Sequence, residues 1–134
     1  MDAEQLSDIE LFAGLSPAQL TQVASWFDEI DVDTGYHLIR RDGFGYEFFV
    51  ILEGEAETMD GDRHLSDLHA GDYFGEIALL DLPRRSAAVR ATSPMRLLVM
   101  SRLHFRSMID TMPLVAERIR TRAAERLANS AIDN

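Results

Sequence analysis

The sequence contains no cysteine, which excludes a disulfide, a thiolate metal site and a cysteine nucleophile. It has no apolar run long enough to cross a bilayer, and its N-terminus is acidic, whereas a secretory signal begins with basic residues. Lysine is also absent, so all 13 basic residues are arginine. These absences predict a cytoplasmic protein that does not interact with membranes.

The net charge of −10 is unevenly distributed along the chain. Residues 1–83 contain 19 acidic residues and 3 arginines, whereas the stretch from Arg84 to Arg126 contains 10 arginines and 3 acidic residues. A nucleic-acid surface needs one coherent basic face, but these arginines are spread over a predicted strand and two predicted helices. Because no recognition helix follows them, we expect no sequence-specific DNA binding.

The 134 residues, 46% of them hydrophobic, are predicted to form a single domain, 1–134. Helical signals cover residues 1–29, short alternating apolar runs separated by turn residues cover 30–100, and helical periodicity returns over 101–129. This order predicts a mainly β protein with flanking helices (α+β). The architecture is an antiparallel β-roll or jelly roll with an N-terminal helical segment and two C-terminal helices.

Local signals predict several element boundaries. Ser16 before Pro17, with Gln19 three residues on, predicts a capping box that starts a helix ending at Phe27. Asp60-Gly61 predicts a two-residue hairpin turn. Ser101 is predicted to cap a helix over 102–111, and the last helix is predicted over Leu114–Ala128, followed by a frayed tail over 129–134.

The stretch from Gly71 to Val89 contains the residues best suited to bind a ligand. Gly75 leads into a short apolar helix beginning at Glu76, and the free N–H groups at such a helix start favour a phosphate. Phosphate binding alone does not explain the presence of a carboxylate, Glu76, beside this site. Because an ionised carboxylate only accepts hydrogen bonds, Glu76 indicates a ligand that also carries a hydroxyl, such as the 2′-OH of a ribose.

Two later residues complete this predicted site. Arg85 offers a fork of donors for an anion, and Ser86 adds a hydroxyl. Together with Glu76 they specify a nucleotide with few charges. Each residue alone also fits a structural role, with Gly75 ending a strand, Glu76 capping its helix and Arg85 forming a solvated surface pair with its neighbour.

The run Phe74-Gly-Glu-Ile-Ala-Leu-Leu, followed by Pro83-Arg-Arg-Ser-Ala-Ala-Val, resembles the phosphate-binding cassette of cyclic nucleotide-binding domains. Leu11–Leu20 resembles the opening helical segment of that family, and Gly35–Ala56 resembles the glycine-marked first half of its β-roll. The resemblance extends over about residues 9–110. The family includes catabolite activator protein, the regulatory subunit of protein kinase A and cyclic nucleotide-gated channels, so the resemblance implies a ligand-dependent conformational switch.

The resemblance implies a role for each residue of the cassette. Glu76 accepts from the ribose 2′-OH, Arg85 pairs with the cyclic phosphate, and Gly75 brings the backbone close to the ligand. The remaining contacts are backbone N–H groups or a hydroxyl, and they come from Ile77, Ala78, Ser86 and Ala87. Serine at position 86 does not decide the base, so cyclic AMP is predicted by analogy and cyclic GMP remains open.

The last helix is the candidate lid of the site. Ile119, Ala123 and Leu127 are candidates to pack against the base, and Thr121 and Arg122 to reach its polar edge. The alternative for Ile119 and Ala123 is that they only cover the β-roll. The resemblance implies an effector protein or fused output domain as the partner, and the narrow apolar stripe of this helix allows a homodimer.

Two other function classes fit the sequence less well. A cupin-like metalloenzyme would hold its metal with closely spaced histidines and a carboxylate, but the histidines at positions 37, 64, 69 and 104 show no such spacing. A β-roll that has lost its ligand and only contacts proteins would have no use for Glu76 and Arg85. We therefore predict a binding domain with no metal, no cofactor and no catalytic residues.

Overall fold

The computed structural model describes residues 2–39, 47–76 and 88–132, and two antiparallel four-stranded sheets form its centre. The strands are β1 (Phe27–Val32), β2 (His37–Ile39), β3 (Glu47–Glu53), β4 (Ala56–Asp60), β5 (Arg63–Leu68), β6 (Tyr73–Phe74), β7 (Ala88–Ala91) and β8 (Met95–Ser101). One sheet has the order β1-β8-β3-β6 and the other β2-β7-β4-β5. The predicted antiparallel β-roll is confirmed.

The helices flank this roll at both ends of the chain. They are α1 (Ala3–Leu6), a 3-10 helix (Glu10–Phe12), α2 (Pro17–Trp26), α3 (Arg102–Thr111) and α4 (Pro113–Ile132). The predicted helical segment before the roll and the two helices after it are therefore both present.

Strand β3 is buried on both of its faces, which explains its unbroken apolar sequence. Phe48 and Val50 belong to a core shared with the helices, because residues of α3, α4 and the N-terminal segment pack in the same cluster. Phe49 and Ile51 point the other way, into a second core between the two sheets. Since successive side chains of a strand alternate between faces, one strand serves both cores.

The start of α2 agrees with the prediction, but its end does not. Ser16 Oγ accepts from the Gln19 N–H at 3.2 Å while Gln19 Oε1 accepts from the Ser16 N–H at 2.9 Å, which is the predicted capping box. The predicted helix end at Phe27 is wrong by one residue, because Phe27 already pairs with Met100 as the first residue of β1. The Phe27 ring packs in the core that β3 shares with the helices. Strand pairing and this burial therefore decide its conformation, against the helical periodicity of the sequence.

The hairpin between β4 and β5 turns one residue later than predicted. Asp60 pairs with Arg63, so the two loop residues are Gly61 and Asp62 rather than Asp60 and Gly61. Gly61 takes a φ of +62°, which glycine adopts at little cost. The sequence identified the glycine of this turn but not its place in the loop.

The last helix is longer than predicted. Ser101 caps α3 as expected, with its Oγ accepting from the His104 N–H at 3.3 Å. Helix α4 begins at Pro113 and continues to Ile132, so the prediction of a frayed tail after residue 128 is wrong for residues 129–132. Of the helices within the described residues, none is long and apolar enough to span a membrane.

Candidate functional site

Gly75 turns the chain out of β6 in a conformation that suits only glycine. Its φ is +94°, and a Cβ placed on it would lie 2.4 Å from the carbonyl oxygen of Glu47 at the start of β3. Strand β6 runs beside β3, with Phe74 opposite Phe49, so backbone approaches backbone closely here. The structure thus shows a packing reason for this glycine.

Glu76, the next residue, places its carboxylate inside the protein. Only 1% of the residue is exposed, and it is the one buried charged residue in the part of the chain that the structure describes. Arg126 of α4 donates from Nη1 to Glu76 Oε1 at 2.5 Å. Burying an ion is costly unless a counter-ion compensates it, and Arg126 provides that positive charge.

The same arginine holds the backbone of β6. Its Nη2 donates to the carbonyl oxygen of Tyr73 at 2.6 Å, and its Cζ lies 5.4 Å from the centroid of the Tyr73 ring. The guanidinium therefore joins α4 to both ends of the segment Tyr73–Glu76. Sequence reasoning missed Arg126 because the two charged partners lie 50 residues apart.

The two oxygens of the Glu76 carboxylate have different surroundings. Oε2 is buried, and among the described residues no group donates a hydrogen bond to it. Most buried polar atoms in proteins have a partner, and an ionised carboxylate has capacity for several donors. The carboxylate is thus anchored through one oxygen and retains acceptor capacity at the other.

Tyr73 links this site to the middle of α4. Its hydroxyl donates to the carbonyl oxygen of Arg118 at 3.4 Å. Burial, and next the negative charge of Glu76, raise the pKa of Tyr73 to about 12. The phenol therefore stays protonated and remains a donor throughout the physiological range.

Arg118 in turn fastens α4 to the N-terminal segment. Its Nη1 donates to the carbonyl oxygens of Glu10, Leu11 and Ala13, at 3.3, 3.0 and 2.7 Å. These carbonyls lie in and just after the 3-10 helix. Helix α4 is thus connected by side-chain hydrogen bonds both to the Glu76 segment and to the start of the domain.

The predicted lid residues divide into buried and exposed pairs. Ile119 and Ala123 have no exposed surface, and Ile119 belongs to the helix-side core. Thr121 and Arg122 are exposed, and Arg122 Nη1 donates to Glu125 Oε2 at 3.4 Å. The packing accounts for Ile119 as a core residue, while a contact of any of the four with a base stays a prediction.

Arg126 lies seven residues after Ile119 and therefore on the same helix face. This position in the helical period was the signal in the sequence that could have identified Arg126.

The other predicted cassette residues lie outside the described part of the chain. They are Ile77, Ala78, Arg85, Ser86 and Ala87. Their roles stay predictions, as does any contact of the Leu127 side chain. Within residues 2–39, 47–76 and 88–132 no group of three or more histidine or acidic side chains is arranged to hold a metal ion.

Comparison with protein families identifies the domain type. Residues 29–112, more than half of the chain, match the family described as cyclic nucleotide-binding domain. The matched range contains most of β1, all of β2 to β8, and the segment with Gly75 and Glu76.

Individual relatives agree with this match. The chain is 30% identical over 115 residues to a cAMP-dependent protein kinase regulatory subunit of Emericella nidulans, covering 84% of the chain and 28% of that protein. It is 33% identical over 118 residues to a cyclic nucleotide-gated potassium channel of Rhizobium etli, covering 88% of the chain and 33% of that protein. The chain thus spans about a third or less of the length of these relatives.

A solved structure shares the fold over nearly the whole chain. The cAMP-bound structure of PfPKA-R superposes with a TM-score of 0.84 at 24% identity, covering 98% of this chain and 45% of that one. At this identity the likeness concerns the fold, including the placement of the helices around the β-roll.

Proposed function

The chain belongs to the cyclic nucleotide-binding domain family, and we propose that this regulatory domain binds cyclic AMP in preference to cyclic GMP at Glu76. The observation that carries the proposal is the buried Glu76 carboxylate, with Oε1 bound to Arg126 and Oε2 retaining acceptor capacity. A ribose 2′-OH is a donor of the kind that such an oxygen accepts.

The phosphate half of the site is proposed from the sequence. Arg85 would supply two parallel donors to the exocyclic oxygens of the cyclic phosphate, and the Ser86 hydroxyl would add a third. Backbone N–H groups of Ile77, Ala78 and Ala87 would complete the anion site, and Gly75 would leave room for the approach. A carboxylate for the sugar and an arginine for the phosphate match the two chemical ends of a cyclic nucleotide.

Two of the relatives support the preference for cyclic AMP, whereas two others are named as cGMP-dependent protein kinases. The Emericella nidulans protein is named for cAMP dependence, and PfPKA-R was solved with cAMP bound. Serine at position 86 does not distinguish adenine from guanine, so the preference for cyclic AMP over cyclic GMP requires a direct measurement.

Isothermal titration calorimetry of the full chain with each nucleotide provides that measurement. We expect cyclic AMP to bind with one-to-one stoichiometry and about tenfold more tightly than cyclic GMP, a difference of about 1.4 kcal/mol. Linear 5′-AMP is the matched control, because it keeps the base and ribose but changes the phosphate. Tighter binding of cyclic GMP would contradict the base assignment, and no heat with either cyclic nucleotide at millimolar concentration would contradict ligand binding.

We propose that the domain acts by moving α4. Arg126 joins this helix to Glu76 and Arg118 joins it to the N-terminal segment, so a ligand that contacts Glu76 acts directly on the helix. A ligand that binds one arrangement of α4 better than another shifts the population between them. The recipient of the signal is then an effector protein or a fused output domain that reads the position of this helix.

Hydrogen exchange followed by mass spectrometry tests this movement. We expect saturating cyclic AMP to change the protection of residues 102–128 by roughly tenfold or more, because ligand shifts the local opening equilibrium of these helices. The hairpin of β4 and β5 is an internal control and should be unaffected. Unchanged exchange over 102–128 with the ligand bound would contradict the switch while leaving the binding proposal intact.

Regulation rather than catalysis is the role we propose for this site. The Glu76 carboxylate is held by the guanidinium of Arg126, an arrangement suited to accepting a hydrogen bond from a ligand hydroxyl.

A further inference from the structure

We propose that a groove at the edge of the β-roll binds an arginine side chain of a partner protein. The groove is lined by residues of β1, β3 and β8 from one sheet and by Tyr36 and Leu38 beside the other, and its volume is about 210 Å³. Pockets for small-molecule ligands are larger, about 300–1,000 Å³, so this groove suits a single side chain. None of its lining residues belongs to the predicted nucleotide site, so the inference does not rest on nucleotide binding.

Acidic and apolar side chains share the face of the sheet that lines the groove. Asp28 pairs with Val99 and Val99 pairs with Phe49, so the three side chains point to the same face. Glu47 lies two residues before Phe49 on β3 and therefore points to that face as well. Phe49 and Val99 pack in the core between the sheets, whereas Asp28 and Glu47 are exposed. The groove thus has an apolar floor that ends at two carboxylates.

The remaining lining residues add an aromatic ring to this surface. Tyr36, which lies just before the edge strand β2, is 55% exposed. Ile30 and Leu38 extend the apolar floor and pack against the core between the sheets. An exposed tyrosine beside two carboxylates suits a guanidinium, because its flat face stacks on a ring while its N–H groups donate to carboxylate oxygens. The apolar floor would cover the aliphatic stem of the same side chain.

The chain itself contains an arginine held by these two kinds of group. Arg126 donates to the Glu76 carboxylate, and its Cζ lies 5.4 Å from the centroid of the Tyr73 ring. The groove offers a carboxylate and a tyrosine ring in the same way, but to a side chain that comes from outside the domain.

The charge of the chain favours a basic partner over a second copy. The net charge is −10, and residues 1–83, which supply every lining residue of the groove except Val99, contain 19 acidic residues and 3 arginines. Two copies of so acidic a chain repel each other, whereas a basic segment is attracted to it. The occupant is therefore an arginine-bearing segment of a different protein.

Nuclear magnetic resonance titration of the isotope-labelled full chain tests this assignment without nucleotide. The probe is a short capped peptide with one arginine between glycine and serine residues, and the matched peptide carries neutral citrulline in its place. We expect the arginine peptide to bind in roughly the millimolar range and to shift the amide signals of residues 28–30, 36–38 and 47–49. The citrulline peptide should bind roughly tenfold more weakly, because it lacks the charge.

Two pairs of substitutions separate the groove from the overall charge. Asp28→Asn combined with Glu47→Gln removes both carboxylates of the groove and should weaken the arginine peptide roughly fivefold to tenfold. Glu29→Gln combined with Asp31→Asn removes the same charge from the opposite face of β1 and should change the affinity by less than about twofold. Tyr36→Ala should cost about threefold, and Tyr36→Phe, which keeps the ring, should bind as the wild type does. The amide spectrum of each variant shows whether its fold is intact.

Equal weakening by the two pairs would overturn the inference, because binding would then depend on net charge alone. Shifts centred outside the groove, equal binding of the citrulline peptide, or no shift at millimolar peptide would overturn it as well. Sedimentation of the chain alone excludes the other occupant, since a dimer that the Asp28 and Glu47 substitutions abolish would assign the groove to a second copy. These outcomes leave nucleotide binding untouched, so failure here is distinguishable from failure of the proposed function.

Discussion

Replacing Gly75 by alanine is expected to destabilise the fold by about 3 kcal/mol or more, the largest effect on stability that we predict for a single substitution here. Two costs add up at this position. The φ of +94° is one that side chains rarely adopt, and the added Cβ would lie 2.4 Å from the carbonyl oxygen of Glu47. The carbonyl oxygen belongs to the backbone of β3, where Glu47 pairs with Ser101, and Gly75 directly follows β6, so neither backbone moves away easily.

Gly35 allows the two costs to be separated. It has a similar φ of +89°, but a Cβ there would meet nothing within 4 Å. Gly35→Ala should therefore cost only the backbone strain, about 1–2 kcal/mol. Thermal unfolding followed by circular dichroism measures both variants, and Gly75→Ala should lower the midpoint by roughly 10 °C or more. Equal losses in the two variants would show that the contact with Glu47 does not matter.

Replacing Arg85 by alanine is expected to weaken cyclic AMP binding by roughly a hundredfold or more, because two hydrogen bonds to a charged phosphate are lost together. Arg85 lies outside the described residues, so this prediction rests on the sequence. The arginine that pairs with the phosphate in the family is followed by a small residue, alanine and then a strand. Arg85 meets that pattern with Ser86 and Ala87.

The neighbouring arginine is the matched control for this experiment. Arg84→Ala removes the same charge one residue earlier and should change the affinity by less than about threefold, the range of an exposed charge. Calorimetry with cyclic AMP on both variants decides the assignment. Comparable losses would show that the phosphate is paired with Arg84 or with both, and a loss confined to Arg84→Ala would reverse the assignment.

The predictions for Gly75 and Arg85 rest on different observations. Gly75 is explained by the distance to a neighbouring strand, which the structure provides. Arg85 is explained by a local pattern of residue types.

Local sequence signals were sufficient to predict most of the fold. Alternation of apolar residues marked the strands, Ser16 and Ser101 marked helix starts, and the glycine-rich turns marked where strands end, because these preferences act over a few residues. The type of ligand also followed from local chemistry, since Glu76 and Arg85 are only nine positions apart and indicate a sugar hydroxyl and a phosphate. Within the described residues, the errors at this level lie at boundaries such as Phe27, the Gly61 turn and the end of α4.

Tertiary structure alone decided how the site is held. The partner of Glu76 comes from α4, the hydroxyl of Tyr73 reaches the backbone of the same helix, and Arg118 binds carbonyls of the N-terminal segment more than a hundred residues away. The helical period places Arg126 on the face of Ile119, but it does not say whether the long side chain ends in solvent or at a buried carboxylate. What distinguishes Arg126 is the packing of α4 on the roll, which places it beside the one charge that the described core contains.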